Sequence, residues 1–126
     1  QRIPSVEDVI QLRGILEYCH ININMLSTMS LDFMLFDKPV INTIFGNDEN
    51  GLYNDQRFLG YEHIMHVVNS KASNIVKNDK ELIDAINRYL FDDSDSKNRK
   101  QLVNQQIGVP LEETSETLVK ALVSWI

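Results

Sequence analysis

Cysteine is almost absent from this 126-residue chain: Cys19 stands alone, so no internal disulfide can form. A reducing compartment is the simple reading, and a cytoplasmic location is expected. No stretch comes near the run of about 18 apolar residues that a membrane span requires. Charges spread through residues 1–20, so no secretory leader is expected there. Contact with the inner face of a membrane would therefore come only through other parts of the protein. A basic face is missing too: 12 Lys and Arg stand against 18 Asp and Glu, for a net charge of −6. That excludes the electrostatic footprint of a nucleic-acid binder. It does not exclude phosphate, because backbone N–H groups at a helix start supply positive potential of their own. Metal signatures are missing as well. His63 and His66 share a helical face but have no Cys or third His nearby. Asp92, Asp93 and Asp95 lack the spacing of a calcium loop. No metal and no cofactor is expected.

The length fits one domain spanning residues 1–126, and 43% hydrophobic residues suffice for a core. The chain opens on Gln1 rather than Met, which is expected of a piece of a larger, two-domain protein. Ser5 caps a helix with acids in its first turn, followed by Val6, Val9, Ile10, Ile15 and Leu16 at helical spacing. His20–Asn24 alternates as a short strand. Ser27–Phe36 reads as a helix that is apolar almost all round and hence largely buried. Asp37-Lys38-Pro39 breaks it, and Val40–Phe45 is the next strand. Residues 46–60 are rich in turn formers and form the long loop of the chain. A helix at Tyr61–Asn69 and a strand at Ser73–Lys77 follow. Asn78 and Glu81 form a capping box that opens an amphipathic helix through Leu82, Ile83, Ile86, Tyr89, Leu90 and Phe91. Further helices are expected from Lys97 to Ile107, stopped by Gly108, and from Thr114 onward, with Trp125 and its apolar neighbours in the core. Cys19 is expected to be a buried packing residue. The order α-β-α-β-α-β-α-α-α predicts an α/β fold of three layers: a small parallel sheet of three strands, flanking helices and extra C-terminal helices.

Ligands of such sheets bind at the carboxyl ends of the strands. Here those ends are Asn24–Thr28 and Phe45–Asp48, both polar. Ser27 and Thr28 can act as plain N-caps, or can hold an anion together with the N–H groups of Met29 and Ser30. Asp32 lies between Leu31 and Phe33 in an apolar helix and needs a partner. In the long loop, Asn47, Asp48 and Arg57 are candidate contacts, with Arg57 suited to phosphate oxygens. His63 follows the loop and joins them.

Ser27-Thr28-Met29-Ser30-Leu31-Asp32 followed by Asp37-Lys38-Pro39-Val40-Ile41 resembles the carboxyl-terminal domain of GT-B-fold glycosyltransferases. The bacterial surface-polysaccharide and glycerophosphate-polymer transferases look most similar, and UDP-N-acetylglucosamine 2-epimerases look similar at greater distance. The order of elements carries the likeness over residues 5–107, and the specific pattern lies in residues 24–41. The resemblance implies half of a Rossmann-like GT-B domain. It implies the donor-binding portion of an enzyme that moves a sugar or polyol phosphate from a nucleotide donor to a glycan or lipid-linked acceptor. Ser27, Thr28, Met29 and Ser30 would hold the diphosphate, and Asp32 the ribose. The partners implied are a nucleotide sugar, an acceptor and an amino-terminal domain of the same protein. The fragment alone would be inactive. Two departures are visible. Asn24 stands where many retaining members carry an acid, and Asp37 where the families often carry Gly. An epimerase would share these contacts. A non-catalytic α/β module of the receiver type is the other alternative, with Asp48 as its late acidic residue, though Tyr18-Cys19-His20 is not the acidic cluster a receiver carries at its first strand.

Overall fold

A computed structural model describes residues 3–46 and 59–124, apart from the side chains of His63 and Leu111. Its elements are α1 (Val6–Tyr18), β1 (Asn22–Asn24), α2 (Met29–Leu35), β2 (Val40–Thr43), α3 (Glu62–Ser70), β3 (Asn74–Val76), α4 (Asp79–Tyr89), α5 (Ser96–Ile107) and, after a single 3-10 turn, α6 (Thr114–Val123). The three strands are parallel in the order β1-β2-β3, with Asn24 beside Asn42 and Thr43 beside Val76. This is the α/β architecture and the element order that the alternating pattern predicts. No helix among the described residues is long and apolar enough to cross a membrane.

The helix starts follow their capping residues. Ser5 Oγ accepts from the Asp8 N–H at 3.1 Å, and Asp8 accepts from the Ser5 N–H at 2.8 Å. Asn78 Oδ1 accepts from the Glu81 N–H at 2.9 Å. Each pair satisfies donors that the first helical turn leaves over. At the other end of a helix, Gly108 adopts φ 72, the left-handed cap that ends α5.

Strand alternation divides the core in two. Val40 packs with Leu16, Phe33, Met34, Val67, Ala72 and Leu102 on the face covered by α2, α3 and α5. Ile41 packs with Val76, Ala85 and Tyr89 on the face covered by α4. Successive β1-α2-β2 and β2-α3-β3 crossovers of one hand put α2 and α3 on the same side, as parallel neighbours require. β1 is an edge strand, and Ile23 on its α4 side is 47% exposed.

Several expected burials are not found. On α1 only Leu16 reaches the core, while Val6 is 78% exposed and Val9, Ile10 and Ile15 are exposed with it. Leu118, Val119, Leu122 and Val123 of α6 are exposed, and Trp125 lies outside the described residues. Cys19 is exposed, as the residue that caps α1. Leu35 and Phe36 at the end of α2, and Ile83, Leu90 and Phe91 on and after α4, are exposed as well. Helical spacing reports which residues share a face; it does not report whether anything covers that face.

The end of α2 is held by charge. Asp37 has φ 53, its N–H donates to Met34 O and the Lys38 N–H donates to Phe33 O, both at 3.0 Å. That is the Schellman arrangement, with Asp in the left-handed position usually given to Gly. Its carboxylate then receives Arg99 Nε at 3.1 Å, Ser96 Oγ at 2.7 Å and Lys100 Nζ at 2.9 Å. Arg99 is fully buried and also meets Asp93 at 2.6 Å. So Asp37 ties the end of α2 to α5. Burial alone would raise the Asp37 pKa, but hydrogen bonds from Lys100, Ser96 and Arg99, with the Arg99 charge, outweigh it and hold it below the ordinary value. A depressed folded pKa contributes stability that is present above the unfolded pKa of about 3.9 and lost as pH falls through the folded value. Acid unfolding followed by circular dichroism from about pH 5 to about pH 2 should therefore be less steep in Asp37→Asn than in the parent chain. An unchanged slope would remove Asp37 from the acid response. The α4–α5 connection has a second anchor: Asp95 receives Arg88 Nη2 at 2.5 Å and Tyr89 OH at 2.6 Å.

Candidate functional site

Four polar side chains meet where β1 and β2 end. Asn24 and Asn42 are cross-strand neighbours pointing to the α2 side. Asn42 Nδ2 donates to Asn24 Oδ1 at 3.0 Å and to Ser30 Oγ at 3.1 Å. Asn24 Nδ2 donates to Ser30 Oγ at 3.1 Å and to Asn22 Oδ1, and Asn24 Oδ1 accepts the Ser27 N–H at 2.7 Å. Asn42 is wholly buried and its Oδ1 has no donor among the described residues. Buried amides are costly unless bonded, so this network fixes the end of β1, the turn and the start of α2 as one unit. Asn24 is engaged both as donor and as acceptor. An ionised acid there could only accept, so the amide of Asn24 is matched to its surroundings.

The turn after β1 is strained. Leu26 adopts φ 57, a conformation that costs a residue with a Cβ about 1–2 kcal/mol. Its side chain is buried, in the wall of a cleft of about 190 Å³. The other lining residues are Ser27, Thr28, Ser30, Leu31, Ile64, Val67 and Gln106, drawn from α2 and its approach, α3 and α5. Strain held beside a cavity at a strand end is a frequent mark of a working site.

Ser27 and Thr28 are exposed at the cleft, Met29 is half-buried and Ser30 is buried in the amide network. α2 begins at Met29 with Thr28 in the N-cap position, where φ −58 and ψ −23 are helical and the side chain makes no capping bond. Ser27 Oγ instead accepts the Met29 N–H at 3.2 Å. The N–H groups of Ser30 and Leu31 donate to Ser27 O and Thr28 O, each at 2.9 Å. Local bonds thus occupy most of the donors that an anion would use. Asp32 is half-buried and has no hydrogen bond or ion pair among the described residues. Asn47, Asp48 and Arg57 lie outside the described residues. His63 falls within α3, but its side chain is likewise outside them, while His66 is exposed. No group of three or more His, Cys, Asp or Glu among the described residues is placed to hold a metal ion.

Asn42 and Gln106 are absent from the sequence reading of the site. An Asn inside the β-branched run Val40-Ile41-Asn42-Thr43-Ile44 was a usable signal, since a buried strand carries an amide only where it has partners. Gln106, near the end of a polar helix, gave none. Set against known proteins, the chain matches no family model, no curated protein and no solved structure.

Proposed function

We propose that this chain is the donor-nucleotide-binding portion of a glycosyltransferase, one that moves a sugar or polyol phosphate from a nucleotide donor to a glycan or lipid-linked acceptor. The observation that carries the reading is the end of the β1–β2 pair, where the Asn24–Asn42–Ser30 network fixes the start of α2 against a cleft of about 190 Å³. Ligands of parallel sheets bind at that end. Ser27 and Thr28 offer exposed hydroxyls to a diphosphate, which would exchange with the local bond from the Met29 N–H to Ser27 Oγ. Asp32, one turn further and without a described partner, offers an acceptor for ribose hydroxyls. The cleft is smaller than the about 300–1,000 Å³ of whole ligand sites. This accords with a donor site completed by other parts of the protein, and the chain alone is expected to bind weakly and to be inactive.

Titration with UDP, CDP and GDP, watched by NMR, tests the reading. Residues 25–32 should shift in the millimolar range, and Asp32→Asn should weaken each nucleotide by about tenfold or more, the loss of a hydrogen bond to a charged group, while leaving pyrophosphate unchanged. If residues 25–32 stay silent with all three nucleotides, the assignment fails.

A further inference from the structure

The cleft after β1 has a chemistry of its own. Leu26 and Val67 of its lining are buried and Leu31 and Ile64 are half-buried, so its wall is aliphatic. Its exposed lining residues, Ser27, Thr28 and Gln106, are polar, and no charged side chain lines it among the described residues. Ser30 Oγ is taken up by the two asparagines. The Gln106 amide makes no hydrogen bond among the described residues, although α5 is fixed to the body by Arg99 and Leu102, both fully buried.

An anion set against this aliphatic wall, with no cation beside it among the described residues, would lose its hydration for nothing. A sugar ring carries hydroxyls around its rim and would leave most of them unpaired there. A planar heterocycle fits: its faces are apolar, its edge is polar, and the carbonyl and NH₂ of one glutamine match an adjacent donor and acceptor on that edge. We infer that the cleft between α2, α3 and α5 binds an uncharged planar heterocycle, with Gln106 reading its hydrogen-bonding edge. The inference rests on the donor-site reading to the extent that the ring would then be the nucleobase. It also divides the site, with the ring in the cleft and the phosphates outside it at Ser27 and Thr28.

The test is a set of separate NMR titrations of the full chain with uridine, adenosine, benzimidazole, N-acetylglucosamine and inorganic pyrophosphate. A nucleoside should shift the methyl groups of Leu26, Leu31, Ile64 and Val67 and the Gln106 side-chain amide. Gln106→Leu, an exposed change on a helix, should weaken it by about tenfold, the worth of one lost neutral hydrogen-bond pair, with the amide spectrum otherwise retained. If benzimidazole shows this behaviour and neither nucleoside does, the ring site stands and the nucleotide reading falls. If pyrophosphate shifts Ser27–Leu31 while no ring compound reaches the cleft methyl groups, the ring site is overturned and the nucleotide reading stands. Silence with every compound overturns both, and a preference of the cleft methyl groups for N-acetylglucosamine over all three heterocycles overturns the ring site.

Discussion

Asp37→Asn should lower the free energy of unfolding by about 3 kcal/mol, and Arg99→Met should cost less than half as much, although both break the same ion pair. The asymmetry follows from burial. Arg99 is 0% exposed, whereas the Asp37 side chain is a third exposed, at 33%. Removing the carboxylate leaves a buried guanidinium with only Asp93, itself 49% exposed, as its charge partner. Removing the guanidinium leaves Asp37 with Lys100, Ser96 and water. Methionine fills the space without a charge to solvate. Asn at position 37 keeps the side chain that tolerates φ 53, so the substitution isolates charge from backbone strain. Asp37→Gly separates them from the other side, relaxing the backbone but losing the carboxylate, and should match Asp37→Asn to within about 1 kcal/mol. Urea unfolding at neutral pH measures all three. Equal losses for Asp37→Asn and Arg99→Met would show that the buried charge is not the deciding quantity.

Asn42→Asp should be milder in acid and severe above neutrality, where the loss should reach about 3–5 kcal/mol, the scale for an unpaired buried charge. Asn42 Nδ2 now donates to Asn24 Oδ1 and Ser30 Oγ in a fully buried position. A carboxylate would set oxygen against the Asn24 oxygen and be desolvated as well, so its folded pKa would lie above the unfolded value of about 3.9. Below that value both states are protonated and the cost is that of the altered hydrogen bonds. As pH rises, the unfolded chain ionises first, and stability falls until the raised folded pKa is passed. Denaturant midpoints at about pH 4 and about pH 8 separate the two regimes. A variant whose loss is the same at both would mean that the strand ends open to water and that the amide network does not close this end of the sheet.

The features legible in sequence were those set by a residue and its near neighbours. Ser5 with Asp8 and Asn78 with Glu81 cap their helices as read, because a cap is a bond across three residues. Gly108 ends α5 because a left-handed residue is cheapest as glycine. The strands were found and drawn long: Val40–Phe45 was read and Val40–Thr43 is paired, since pairing depends on the partner strand. Leu26 and Asp37 adopt left-handed conformations that their own propensities do not announce. The candidate site was legible as a place, the polar turn after β1, and far less as a set of contacts. Ser27, Thr28 and Ser30 do line one cleft, whereas Asp32 is absent from its lining, and the N–H groups read as free are mostly bonded locally.

By itself, the sequence determined the alternation of strand and helix, and with it the parallel three-stranded sheet, because periodicity and crossover handedness leave little other choice. It also determined that a polar turn would stand at the carboxyl end of β1. Only the tertiary structure decided that Asn24, Asn42 and Ser30 would close that end together, that Asp37 would reach across to Arg99, and that Gln106 would face the same cleft as Leu26. Each of these joins residues far apart in the chain. Whether a polar or apolar side chain is bonded, exposed or enclosed depends on what packing brings to it, which no local pattern records.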